Sequence, residues 1–187
     1  MNNMKILFVI SFVMLVAFGV RAQDDPTRSV FVEVGGPSLV YSFNYDFRFD
    51  KRNLASWGLR VGVGGYKLTD ESLLTVPVQA TRLFGSGKHY FELGAGFTFI
   101  NHGYTSYYYG GNYDPNLGYS VARETTEKDY HFILDMGETP NVVGTLNFGY
   151  RRIPQDGGFT FRANLTPLFN AHGFWPLFAG IGFGYAF

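Results

Sequence analysis

The chain has 187 residues, and its 15 basic and 15 acidic side chains leave no net charge, which argues against a nucleic-acid-binding protein. It contains no cysteine, so disulfides, thiolate metal sites and a lipid-bearing cysteine are excluded. Its 20 Phe, 13 Tyr and 24 Gly suit a membrane β-barrel, because aromatic residues favour membrane interfaces and glycine lets a narrow barrel interior close.

Residues 1–22 are predicted to be a secretory signal peptide. Lys5 supplies a positive charge, residues 6–18 are almost wholly apolar, and Ala22 is the small residue that a signal peptidase reads. An uncleaved membrane anchor is the alternative. No later segment approaches the roughly 20 consecutive apolar residues of a spanning helix. Any membrane crossing by residues 23–187 is therefore expected to use strands.

Most of the remaining chain is predicted to form β-strands, because apolar and polar side chains alternate along it with a period of two. The alternation is clearest in residues 38–49, where Leu39 and the aromatic residues after it face one way and polar residues face the other. Glycine, proline and charged residues mark the turns between segments. The predicted strands are residues 29–35, 38–49, 57–66, 73–84, 89–100, 142–151, 159–168 and 177–187.

Residues 101–140 interrupt this alternation and are predicted to form one long loop, which at this length is usually functional or mobile. A cluster of tyrosines lies in its first half: Tyr104, Tyr107, Tyr108, Tyr109 and Tyr113. Tyrosine offers rigid contact area with a polar tip at low entropic cost, so these residues are candidates for binding a partner. Packing of the rings onto the barrel rim explains the same composition.

The last predicted strand ends on an aromatic residue. Its apolar face consists of Leu177, Ala179, Ile181, Phe183, Tyr185 and Phe187. Its length matches the roughly 9–11 residues that a tilted strand needs to cross a membrane. The segment resembles the terminal strand of outer-membrane β-barrels of Gram-negative bacteria. This resemblance implies that Phe183, Tyr185 and Phe187 form the signal read by the barrel-insertion machinery.

Eight predicted strands agree with the even strand number of single-chain bacterial barrels. Counting back from a periplasmic C-terminus places the turns at 50–56, 85–88 and 152–157 in the periplasm, and the connection 101–140 outside. Residues 33–36, 41–45, 91–96 and 180–187 resemble the small eight-stranded outer-membrane β-barrel family. The resemblance implies an all-β, eight-stranded antiparallel transmembrane barrel over residues 23–187, with one long extracellular loop.

Six charged side chains face the barrel interior on this register: Asp46, Arg48, Arg60, Glu92, Arg151 and Arg162. Side chains fill the interior of small barrels, so these residues are predicted to form a salt-bridge network that holds the lumen shut. The alternative is a constriction in a narrow pore. Four arginines against two acids would then favour anions.

His102 and Ser106 form a serine–histidine pair near the external rim, but no nucleophile-elbow motif such as G-x-S-x-G accompanies them. His102, His131 and His172 all fall on the outer side, where coincidence explains their placement better than a metal site does. We therefore expect no catalytic residue, no metal and no cofactor.

These patterns favour a non-enzymatic outer-membrane barrel with a structural or surface-binding role through residues 101–140. Its expected partners are outer-membrane lipid, the barrel-insertion machinery during assembly, and an extracellular glycan or protein, but not nucleic acid. A narrow pore for small solutes and an outer-leaflet lipid-modifying enzyme are the alternatives. A soluble ligand-binding barrel would instead turn its apolar face inward and place Asp46, Arg60 and Glu92 outside.

Overall fold

Eight antiparallel β-strands form the wall of a closed barrel in the computed structural model, which describes residues 26–108, 113–114, 119–120 and 123–187. The strands are β1 (Arg28–Gly35), β2 (Tyr41–Arg48), β3 (Trp57–Lys67), β4 (Glu71–Ser86), β5 (His89–Tyr108), β6 (Asn141–Arg152), β7 (Gly158–Leu165) and β8 (Ala179–Ala186). Each pairs with the next, and β8 also pairs with β1, where Phe183 lies opposite Val32. The predicted eight-stranded antiparallel barrel is confirmed. The predicted signal peptide lies outside the described residues.

The connections alternate between the two ends of the barrel. The short-turn end carries residues 49–56, 87–88 and 153–157, and the loop end carries residues 36–40, 68–70, 101–140 and 166–178. The long connection is therefore opposite the three short turns, as the strand count predicts. None of the described residues belongs to a helix long and apolar enough to span a membrane.

Residues 101–140, here called the arm, are not the irregular loop that the sequence predicts. Pairing between β5 and β6 ends where Ile100 lies opposite Asn141, so the arm has the predicted boundaries. Inside them, β5 continues to Tyr108 and pairs with Arg123–Glu127. Shorter ladders join Asp129–His131 to Asp135–Glu138 and Tyr113–Asp114 to Tyr119–Ser120.

The alternation of apolar and polar residues did not predict the strands of the arm, and the reason is physical. Period-two alternation arises only where a strand buries one face and leaves the other in a different environment. Thr125, Thr126 and Glu127 are all exposed, so this strand has no buried face to impose such a pattern.

The start of β2 also differs from the prediction. Residues Gly36–Ser38 form a 3₁₀ turn that folds into the barrel mouth, where Thr98 Oγ1 donates a 2.6 Å hydrogen bond to the Pro37 carbonyl. Gly36 has a φ of +63°, and a Cβ there would lie 2.9 Å from the carboxyl carbon of Glu33. Leu39, predicted on the outer face, follows this turn and is buried inside the barrel.

The predicted strand 159–168 is divided in the structure. β7 ends at Leu165, and a short strand, Leu168–Asn170, pairs separately with β6 and with Gly173–Trp175. Pro167 lies at the break because proline has no N–H to continue the ladder. The final strand is correspondingly shorter than predicted, and Leu177 and Phe187 lie just outside β8.

The two faces of the wall differ sharply in chemistry. Outward positions of all eight strands are mainly apolar, and exposed examples are Val34, Phe43, Val63, Leu74, Phe97, Phe148, Phe159 and Ile181. Inward positions are largely polar and buried, including charged residues on six strands. Glycines on the inner face make room for them: a Cβ on Gly182 would lie 2.8 Å from Cγ of Arg162.

Two apolar clusters close the interior at its ends. The loop-end cluster is formed by Leu39, Leu73, Ile100, Tyr130, Met136, Val143 and Leu168. The short-turn cluster is formed by Leu54, Leu83, Tyr90, Ile153 and Ala186. The polar lumen lies between them. Tyr130 and Met136 come from the arm, so part of the arm is a component of the barrel core.

Candidate functional site

Among the described residues, seven charged side chains are buried in the lumen, each placed inward by the period-two geometry of its strand. They are Glu33 on β1, Asp46 and Arg48 on β2, Arg60 on β3, Glu92 on β5, Arg151 on β6 and Arg162 on β7, and none is more than 3% exposed. The structure thus brings together the six residues singled out in the sequence and adds Glu33.

Asp46 is the carboxylate of the first ion-pair group. Arg48 Nη2 donates to both of its oxygens, at 2.6 and 2.8 Å, and Arg151 Nη1 lies 3.2 Å from Oδ2. Arg48 also donates to Thr81 Oγ1 at 2.8 Å. Charge-assisted hydrogen bonds of this length are among the stronger ones in proteins, so this group ties β2 to β4 and β6.

Glu92 and Glu33 hold the second group. Arg162 Nη2 donates to Glu92 Oε1 at 2.7 Å, and its Nε lies 3.7 Å from Glu33 Oε1. Arg60 forms an ion pair with the other oxygen of Glu33. Arg151 lies 3.7 Å from Glu92 and therefore joins the two groups into one network.

Glu33 was not included among the inward-facing charges predicted from the sequence, although the pattern of its strand indicates this position. Val30, Val32 and Val34 face outward, which requires Phe31 and Glu33 to face inward. With Glu33 included, four lumen arginines face three carboxylates, and the predicted ratio of four to two is corrected.

Phe31 is the apolar centre of this charged lumen. The guanidinium carbons of Arg162, Arg60 and Arg151 lie 4.6, 5.1 and 5.9 Å from its ring centroid. A cation over an aromatic face is attracted by the ring quadrupole, and the attraction is larger away from water. The ring thus separates three like charges and also stabilises them.

Amide and hydroxyl side chains continue the network across the lumen. Arg60 donates to Asn44 Oδ1 at 3.1 Å and to Gln79 Oε1 at 3.2 Å. Gln79 then donates to Thr145 Oγ1 at 2.8 Å, which links β4 to β6 across the inner face of β5. These contacts fill the cross-section with side chains that bind one another.

The predicted arm residues are spread along the chain. Tyr104 is exposed and lies on β5 between Glu71 and Glu127. Tyr107 and Tyr108 lie on the last residues of β5, and Tyr113 begins a short strand. Tyr109 lies outside the described residues.

The predicted assembly residues lie at the seam of the barrel. Phe183 and Tyr185 face outward on β8 and are exposed. Phe187 follows β8 and exchanges two backbone hydrogen bonds with Arg28, of 3.0 and 2.8 Å. The last residues of the chain thus close the ladder against its first strand.

The histidines do not assemble a reactive group among the described residues. His102 Nε2 lies 3.4 Å from Glu71 Oε1, whereas Ser106 Oγ donates to the carbonyl of Thr125 at 3.5 Å. Four residues along an extended strand span about 13 Å, so His102 and Ser106 are not in contact. In the part of the chain that the structure describes, no three His, Asp or Glu side chains are grouped to hold a metal ion.

His102 instead joins the arm to the barrel mouth. Its ring centroid lies 4.7 Å from that of Tyr130. Thr139 Oγ1 lies 2.8 Å from both the His102 and the Lys128 carbonyl oxygens, and its single O–H donates to one of them at a time. Burial raises the pKa of the Tyr130 hydroxyl, and the nearby Glu71 carboxylate raises it further. The base of the arm is therefore fixed to the rim by a polar cluster as well as by apolar packing.

No protein-family model matches the chain, and no curated protein matches it. Among solved structures, the N-terminal β-barrel domain of Pseudomonas aeruginosa OprF is similar, with 15% sequence identity and a TM-score of 0.48. The match covers 86% of this chain and 95% of that chain.

Proposed function

We propose that this chain is a non-enzymatic integral outer-membrane barrel that does not conduct and that presents its arm at the cell surface for binding. The observation that carries the proposal is the inverted distribution of side chains. Phe43 and Val34 on the outer wall are 61% and 65% exposed, whereas Arg60 in the lumen is fully buried. A protein in water is stabilised by the opposite arrangement, with apolar side chains inside and charged ones outside. In a membrane, the apolar wall faces lipid.

Aromatic residues at both ends of the wall support a membrane-spanning position. Trp57 lies at the short-turn end with the guanidinium of Arg82 5.9 Å from its ring, and Trp175 lies at the loop end. His89 and Tyr150 form a 2.7 Å hydrogen bond at the short-turn end. Trp and Tyr favour the two membrane–water interfaces because they combine an apolar ring with a polar group.

The filled lumen supports a structural role over a pore. Arg60, Gln79 and Thr145 link β3, β4 and β6 inside the lumen, the ion pairs of Glu33 and Glu92 extend this network to β1, β5 and β7, and an apolar cluster closes each end. Conductance in planar lipid bilayers tests this point. We expect the inserted protein to give no discrete current steps. Current steps that change when Arg60 or Arg162 is substituted would contradict the proposal and indicate an anion-selective pore.

The arm is the proposed binding element because it projects beyond the barrel ladder and exposes polar side chains such as Thr125. Its tip, residues 106–125, also carries four of the five predicted tyrosines. The separation of His102 from Ser106 supports a binding role rather than lipid hydrolysis. The expected ligands are an extracellular glycan or a protein.

Replacement of the arm tip tests the binding role. Thr105 lies opposite Thr126, so residues 106–125 can be exchanged for the two-residue turn Asn-Gly without disturbing the ladder below. We expect normal insertion and unfolding temperature but loss of binding on a glycan array or to host-cell surface protein. A shortened protein that binds as well as the parent would contradict this role.

A further inference from the structure

We propose that the outer wall carries a site for one glycerophospholipid with an anionic headgroup, in a groove that runs along β1. The inference rests on the proposed membrane location. The groove, here called the wall groove, has a volume of about 850 Å³ and crosses β8, β1, β2 and β3.

The register of three strands explains the groove. Val32 lies opposite Phe43 on β2 and Phe183 on β8. Val30 lies opposite Tyr45 and Tyr185 in the same way. Two successive rungs of the ladder thus place a short valine between two aromatic rings. Neighbouring strands are about 4.8 Å apart, so the aromatic strands stand roughly 10 Å from each other, wide enough for acyl chains.

A positive charge lies at the foot of the groove. Arg28 is exposed and occupies the same outward face of β1, one rung below Val30. It lies opposite Phe47, and its backbone is bonded to Phe187, so the third rung is an arginine between two aromatic residues. A guanidinium binds phosphate oxygens in bidentate fashion, and the valines above it would contact the chains of the same lipid.

The charge around this foot favours an anionic headgroup over a zwitterionic one. The turn beside this foot, residues 49–56 between β2 and β3, adds two basic side chains, Lys51 and Arg52, to Arg28. Asp50 is the acidic side chain of that turn. Each basic residue near a membrane surface attracts anionic lipid.

A lipid fits the wall groove better than a protein strand does. Both edges of β1 are already paired, with β2 and with β8, so no backbone groups are free for strand addition. The groove therefore offers apolar side chains and one charged foot, which is the chemistry of a phospholipid.

Native mass spectrometry of the folded protein released from detergent tests the proposal. Phosphatidylglycerol and phosphatidylcholine with identical chains are added to the parent, to Val32→Phe and to Arg28→Gln. Val142→Phe is the control for Val32→Phe, because it makes the same change on the exposed wall outside the groove. Lys88→Gln is the control for Arg28→Gln, because it removes a basic residue from the same end of the barrel. Arg28→Gln keeps the backbone bonds to Phe187.

We expect the parent and both controls to retain one phosphatidylglycerol in preference to phosphatidylcholine. Val32→Phe should lose it, because the added ring fills the groove. Arg28→Gln should bind it about fivefold more weakly, from the loss of one charge near the surface. Equal retention of both lipids by the parent, or equal behaviour of Val32→Phe and Val142→Phe, would overturn the proposal.

Two further outcomes are distinguishable. A dimer that dissociates in Val32→Phe would show that a second copy occupies the groove, and would also overturn the lipid site. A heat-induced mobility shift in the same samples reports barrel folding. Its absence from the parent would reject the proposed membrane barrel itself, whereas its presence without lipid retention would reject the lipid site alone.

Discussion

Each carboxylate in the lumen has at least two arginines within ion-pair distance. Asp46 contacts Arg48 and Arg151, and Glu92 contacts Arg162 and Arg151. Removal of an acid would therefore leave buried positive charge without its counter-charge. Loss of one partner from a buried pair costs more than the pair itself contributes, because desolvation of the remaining charge is no longer compensated.

Glu92→Ala tests the network at the level of one residue. We expect the free energy of unfolding to fall by about 3–5 kcal/mol, measured by urea unfolding in lipid vesicles. Asp156→Ala, an exposed acid in a short turn, is the control and should change it by less than about 0.5 kcal/mol. Equal effects of the two substitutions would show that Glu92 is solvated and that water occupies the lumen.

A substitution at Phe97 tests whether the outer wall faces lipid. Phe97 is exposed on the outward face of the barrel part of β5, residues 89–100, and an arginine on a lipid-facing position costs up to about 2–4 kcal/mol, most at the bilayer midplane. Phe97→Arg should therefore reduce the inserted fraction strongly in flotation assays. Asn101→Arg, on the same outward face at the loop end of the barrel, should insert normally. Comparable insertion of both variants would argue against a lipid-facing wall.

Period-two alternation predicted the lumen residues because the wall separates two environments at every position. The same alternation places Glu33 inside, but its strand is short, and its three outward valines are the only sign of that orientation. Tyr130 and Met136 could not be found in this way. They lie on the arm, whose described residues show no continuous buried face, and they reach the core only through the tertiary fold.

At the level of elements, the arm has two parts with different roles. Its base, residues 128–140, supplies Tyr130 and Met136 to the loop-end cluster and binds His102 through Thr139. Its tip forms the ladder between β5 and Arg123–Glu127. A deletion of residues 103–138 would remove both parts. Its expected effect is therefore destabilisation of the barrel mouth in addition to loss of binding.

Met136→Ala tests the packing of the arm base. Met136 is fully buried, and truncation of such a side chain costs about 2–5 kcal/mol when the cavity does not collapse. We expect the arm to become sensitive to protease at low concentration while the barrel stays inserted. Glu138→Ala, at an exposed position of the same segment, should leave the digestion rate unchanged. Equal digestion of both variants would mean that the base is not anchored.

The role of Phe187 as an assembly signal can be tested at the seam between β8 and β1. Deletion of Phe187 removes its two hydrogen bonds with Arg28, whereas Phe187→Ala removes only the ring. If the aromatic ending is read by the insertion machinery, both variants should accumulate in the periplasm. Insertion of Phe187→Ala but not of the deletion would show that the backbone bonds, and not the ring, are required.

Strand order and the alternation of connections were predictable from the sequence because all eight strands of the barrel wall alternate apolar outward and polar inward side chains. The turn after residue 35 was predicted as well, but its burial and the break within residues 159–168 were not. The turn at Gly36–Ser38 is buried because Pro37 and Thr98 make a contact between distant residues. The break at Pro167 divides a strand that the apolar pattern alone presents as continuous.

On the scale of the whole molecule, the charges are sorted into three zones. The lumen holds ion pairs, the short-turn end is rich in basic residues, and the loop end carries many acids, including Asp70, Glu71, Asp129, Asp135 and Glu138. The apolar wall separates the two outer zones. This sorting is the pattern expected of a membrane barrel that seals its own interior.

The two tryptophans allow the central claim, that the wall spans a bilayer, to be tested most directly. Trp57 lies at the short-turn end and Trp175 at the loop end, so Trp57→Phe and Trp175→Phe each leave one reporter. Fluorescence quenching by brominated lipids reads their depth in vesicles. We expect both reporters to be quenched, more strongly by bromine near the headgroups than near the chain ends. Absence of quenching at either residue, or deep quenching at one of them, would contradict a membrane-spanning barrel.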